Sequence, residues 1–158
     1  MSSASYVIQD EPVASGLAAW STSPIWPLFS IMFGGAWLAF SWFVFNAFAF
    51  GSPTRYKELM IALSGFVGSV ILLVLMGSAG NIGWLDGQAF RYVMITIVVW
   101  KLGVAYWLYM LQDPPFQLYL YFNGKARNGV FVLLIGVFLL RPLVMQAFDN
   151  VFWQVMIS

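Results

Sequence analysis

Lys101 and Arg141 are the two side chains whose chemistry is at odds with their surroundings. Lys101 stands inside FRYVMITIVVWKLGVAYWLYMLQ, Phe90 to Gln112, a stretch long and apolar enough to cross a bilayer; Arg141 stands inside Asn128 to Phe148 and is followed at once by Pro142. A charge near the bilayer centre costs at least about 2.5 kcal/mol unless it faces protein, water or an anion, so such cations mark functional sites by default. The residues three and four positions from Lys101 (Ile97, Val98, Val104, Ala105) are all apolar, which leaves the ammonium no carboxylate on its own helix. Trp100, Tyr106, Trp107 and Tyr109 offer ring faces and hydroxyls, but a cation over a ring gains only about 0.5 to 2 kcal/mol. For Arg141 the nearest same-face acid is Asp149, and eight helical residues are about 12 Å of rise, too far for a direct pair. The expectation is an intramembrane charge site, Lys101 with Arg141, completed by acids of neighbouring chains or by anionic lipid.

Other chemistry is poorly supported. With no cysteine and no histidine in the chain, disulfides, thiolate catalysis and iron–sulfur ligation are excluded, and haem or ordinary zinc and copper sites lose their usual ligand. No metal and no cofactor is expected. Neither paired carboxylates nor a Ser/His or Cys/His set stands out, and Lys101 is the one candidate base, so the chain reads as a non-enzyme with no catalytic residues. The Gly-rich run GSAGNIGWLDG, 77–87, lacks the Gly-Lys-Ser/Thr ending of a phosphate-binding loop. A net charge of +1 without a dense Lys/Arg cluster leaves nucleic acid out as a partner.

The elements that must hold the two cations follow from composition. Of 158 residues, 61% are hydrophobic and 8% charged, against about 25% charged in ordinary soluble domains; the mean hydropathy is +0.84. Uncharged runs well over about 18 residues indicate spanning helices. Strands of a membrane barrel would alternate apolar and polar residues, and these runs are apolar on every face. The chain is therefore expected to be an all-α integral membrane protein: a tail over 1–24 with no secretory-signal pattern, then four transmembrane helices with short loops, at about 25–50, 59–80, 90–112 and 129–157, with an amphipathic connector over 113–128.

The first of these helices is aromatic around most of its circumference, a belt or a groove for a lipid tail, with Ser30 and Gly34 small enough for close packing. Ser64, Gly65, Gly68 and Ser69 form overlapping small-residue pairs that predict a packing face on the second. In the connector, Phe116, Leu118, Leu120 and Phe122 alternate with polar or hydroxyl-bearing residues, which predicts an extended segment on the membrane surface. Pro114 and Pro115 should end the third helix, and Pro142 should kink the fourth.

Charge asymmetry orients the chain. Arg55, Lys57, Lys125 and Arg127 lie in the loops after the first and third helices, where they can contact anionic lipid headgroups; the opposite side carries Arg91 alone. The positive-inside rule then puts the basic loops in the cytoplasm and both termini outside it, in an integral protein of a bacterial inner (plasma) membrane. Lys101, about 15 Å along from Arg91, and Arg141, about 18 Å along from Gly129, both fall near the midplane of a core about 30 Å thick. The functional expectation is a structural or assembly subunit of a larger membrane complex, contacting anionic lipid and other subunits or further copies of itself; the alternative is an oligomeric anion-conducting channel or small transporter.

Overall fold

A computed structural model describes residues 16–81, 87–147 and 154–155. The chain is all-helical there: a single 3-10 turn, Ala18–Trp20, then α1 (Ile25–Phe33), α2 (Ala36–Ala49), α3 (Arg55–Asn81), α4 (Gly87–Tyr121), α5 (Val130–Ile135), a π-type turn over Gly136–Leu140, and α6 (Arg141–Ala147). Among the described residues there is no strand, only an isolated bridge between Thr22 and Arg127. Three stretches are long and apolar enough to cross a membrane: Arg55–Ala79, Arg91–Tyr121 and Val130–Ala147, the last running through α5, the π turn and α6.

The continuous helix expected over 25–50 is instead two helices folded against each other. The break lies at Gly34–Gly35, where both amides donate to the Ser30 carbonyl and Gly35 adopts φ 94°, ψ 174°, a conformation open almost only to glycine. Straight helix would carry Asn46 about 36 Å from Thr22, 24 residues at 1.5 Å each. Instead the Asn46 amide bonds both the N–H and the C=O of Thr22, at 3.1 and 3.0 Å. Trp42 adds its indole N–H to the Thr22 hydroxyl at 2.9 Å. The two ends of the hairpin thus return to one level. That level also holds Ala18, Phe50, Phe116 and Tyr119, which cluster together, and the loop after α4, where the Arg127 amide donates to the Ser21 carbonyl. At 9 residues α1 is about 14 Å long, half of a hydrocarbon core.

Further differences have local causes. α4 passes through Pro114 and Pro115 to Tyr121, so the connector is helical over most of its length. Its buried residues Ile97, Lys101, Val104, Leu108, Gln112, Phe116 and Tyr119 recur every three or four positions, one continuous helix face. Alternation over 116–123 misleads because Leu120 and Phe122 are exposed, so their apolarity carries no information about a protein core. The π turn ends immediately before Arg141, whose amide donates to the Gly136 carbonyl five residues back; the change of register thus sits directly before Pro142, which has no N–H to continue the helical ladder. The tail over 1–15, Asp86 in the Gly-rich run, Asp149 and most of the expected helix end to 157 lie outside the described residues.

The core is built by α2 packed against α3 and α4, which also pack on each other. Phe40 and Phe43 are fully buried with Ala36, Ala39, Ala62 and Ala105 around them, and the Phe40 ring meets Phe66 edge-on at 5.1 Å. Large rings against small residues give the close van der Waals packing that must hold helices together where lipid is as apolar as the core.

Candidate functional site

The broken first helix is what supplies Arg141 with a partner. Ending α1 at Phe33 leaves its last carbonyls without intrahelical amides, and the Arg141 guanidinium donates to the Phe33 carbonyl at 2.8 Å. A cation at a helix C-terminus also meets the negative end of the helix dipole. Lys101 is 5% exposed and its ammonium donates to the Val155 carbonyl at 2.6 Å. It lines a cavity of about 350 Å³ with Ile31, Met32, Ile97, Leu102 and Val155. Ile31 and Met32 belong to the same last turn of α1 that bears the Phe33 carbonyl, so the Lys101 cavity and the Arg141 contact both adjoin one turn of the hairpin.

Among the described residues their partners are carbonyl dipoles and no carboxylate pairs with either. A charge-assisted hydrogen bond contributes about 1.5 to 3 kcal/mol, comparable to the roughly 2.5 to 3.5 kcal/mol cost of the charge at helix centre. Each cation can therefore stay in place on its carbonyl, which leaves its positive charge without a carboxylate among the described residues. The cavity wall is open: Met32 is 68% exposed and Val98 54%.

A second polar constellation, which the sequence reading did not single out, lies at the end of the hairpin. Glu58 is fully buried. Its Oε1 accepts from the hydroxyls of Ser52 at 2.5 Å and Thr54 at 2.7 Å, and its Oε2 from Gln112 Nε2 at 2.6 Å. The same Gln112 nitrogen donates to the Phe43 carbonyl at 2.7 Å, while Gln112 Oε1 is buried and unpartnered among the described residues. The chain reaches this point through Gly51, φ 71°, with the Ser52 amide on the Ala47 carbonyl, the left-handed helix ending that glycine allows. Three donors around one carboxylate tie α2, the following turn, α3 and α4 together. The available signal was S-P-T-R-Y-K-E, hydroxyls four and six residues ahead of an acid at a helix start.

The basic loop residues lie at this same end. The Arg55 guanidinium stands 5.7 Å from the Phe48 ring and 5.2 Å from Tyr56. Lys57 and Lys125 are exposed, and Arg127 lies 4.0 Å over the Trp20 ring. On α3, a Cβ at Gly65 would meet Phe40 at 2.7 Å and one at Gly68 would meet Trp100 at 2.5 Å; the Trp100 indole donates to the Gly65 carbonyl at 3.2 Å. Ser69 is buried, its hydroxyl on the Gly65 carbonyl, whereas Ser64 is exposed. Among the described residues, no group of three or more His, Cys, Asp or Glu could hold a metal ion. The chain matches no family model, no curated protein and no solved structure.

Proposed function

We propose that the chain is a structural or assembly subunit of a larger membrane complex, in which Lys101 and Arg141 present positive charge at mid-depth to an acidic side chain of a neighbouring membrane helix. The observation that carries the reading is that two cations bond backbone carbonyls, Arg141 that of Phe33 and Lys101 that of Val155, with no carboxylate partner among the described residues, beside an open cavity at the hairpin turn. Arg141 rides on a span of which 6% is buried against the rest of the chain, which leaves a bare face for a partner. In a medium of low polarity an uncompensated charge attracts a counter-charge strongly. The test is complex size after extraction in mild detergent: the wild-type chain should migrate with partners on native gels and the Lys101→Leu/Arg141→Leu double variant alone. Equal sizes would reject the reading.

The topology that goes with it is three spans plus a re-entrant hairpin, in a bacterial inner membrane with the loops of Arg55, Lys57, Lys125 and Arg127 in the cytoplasm. Residues 16–24 then lie on the cytoplasmic side and the C-terminus opposite, in place of four spans with both ends outside. The hairpin also favours a second reading, an oligomeric anion path, since broken helices reaching mid-depth expose backbone groups to ions in transporters. Anion flux in liposomes that the same double variant abolishes would support it over the subunit.

A further inference from the structure

We infer that the groove between α2 and α5 binds one acyl chain of an anionic phospholipid, with the lipid phosphate on Arg127. The groove is a cavity of about 500 Å³ walled by Trp20, Trp42 and Phe45 at the loop end and by Leu38 and Val132 deeper in, within the usual range of ligand pockets. Its floor is the Leu38 side chain packed on Gly136. From Asn46, level with Thr22, to Leu38 is eight residues of α2, about 12 Å, close to one leaflet of hydrocarbon at about 15 Å.

The wall asks for nothing polar. Thr22 is fully engaged by Asn46 and Trp42, so what remains for an occupant is aliphatic and aromatic surface. The charge is at the mouth. The Arg127 amide on the Ser21 carbonyl at 2.8 Å pins that residue beside the groove, and its guanidinium carbon lies 4.0 Å over the ring of Trp20, a groove residue. Stacking uses the face of the guanidinium and leaves the N–H edge for a bidentate phosphate contact; among the described residues that edge has no hydrogen-bond partner. Lys125, two residues away and exposed, adds to the positive field. An apolar slot one leaflet deep with a cation at its rim is complementary to a lipid anion. This site is separate from Lys101 and Arg141 and does not depend on the subunit reading.

Tryptophan quenching by brominated acyl chains in reconstituted vesicles tests it, with brominated phosphatidylglycerol compared against brominated phosphatidylcholine at equal mole fraction. Phosphatidylglycerol should quench in preference, and the preferred component should vanish in a Trp20→Phe/Trp42→Phe variant. Arg127→Gln should lower the preference about tenfold while leaving some quenching by both lipids. Ser41→Phe, at an exposed residue of the groove wall, should reduce quenching by both. Equal quenching by the two lipids in the wild type, or a preference untouched by Arg127→Gln, would overturn the inference. So would relief of quenching by soluble glycerol phosphate, which would make the site one for a free anion.

Discussion

Asn46 satisfies both backbone groups of Thr22, its side-chain oxygen on the amide at 3.1 Å and its side-chain nitrogen on the carbonyl at 3.0 Å. The amide acts as a short piece of neighbouring strand, and residue 127 bridges Thr22 as well. Nothing in the periodicity of an apolar helix announces such a role; Asn46 reads as one polar residue in an aromatic run. Asn46→Leu keeps the size but strands two buried backbone groups, each costing about 1 to 3 kcal/mol. A clear fall in Tm in detergent is the expected result, and an unchanged Tm would mean the hairpin is not held here.

The hairpin fixes which ends share a side. The chain has no cysteine, so single cysteines report cleanly. Gly16→Cys and Lys125→Cys should both react with an impermeant maleimide added from the cytoplasmic side, and Gly87→Cys from the other. A straight helix over 25–50 would separate Gly16 from Lys125, and labelling of those two from opposite sides would exclude the fold described.

Gly35 holds a backbone conformation that L side chains rarely adopt. Gly35→Ala should cost about 1 to 3 kcal/mol. Gly77→Ala is the control: it lies in α3, and an added Cβ has nothing within 4 Å, so helix propensity alone acts and stability should rise by up to about 1 kcal/mol. Similar shifts in both would remove the case for a strained turn.

Glu58 anchors three donors. Glu58→Ala leaves Ser52, Thr54 and Gln112 without their acceptor and should destabilise by about 3 kcal/mol or more, at about 1 to 3 kcal/mol for each stranded donor. Glu58→Gln should cost less, about 1 to 3 kcal/mol, because one acceptor oxygen survives while the other becomes a donor facing the Gln112 amide. Thermal melts of the two variants check the order; a milder effect from alanine would contradict the network.

Gly68 makes room for the Trp100 ring. Gly68→Ala should push that ring off the helix, weaken its bond to the Gly65 carbonyl and cost about 1 to 3 kcal/mol. A red-shifted tryptophan emission with a lowered Tm is the expected pair of readouts, and an unchanged spectrum would argue against the contact.

Helical class and the long apolar stretches were legible because length and hydropathy decide them almost alone. The first helix was misread because Gly34–Gly35 looks like small-residue packing in a membrane sequence, and only the return contacts of Thr22 and Asn46 reveal a turn. Lys101 and Arg141 stood out by charge, but their carbonyl partners could not be read from sequence, since Phe33 and Val155 lie 108 and 54 residues away. Glu58 was overlooked because a carboxylate beside Arg55 and Lys57 looks like an ordinary loop charge. Its burial depends on Gln112, 54 residues on.

The clasp between Arg141 and the Phe33 carbonyl has a consequence for biogenesis. The hairpin leaves the ribosome before the segment that packs on it at Gly129 and Gly136 and bonds its turn. Until residue 141 emerges, the Phe33 carbonyl lacks the Arg141 donor, so this contact can close only after about a hundred further residues have been made.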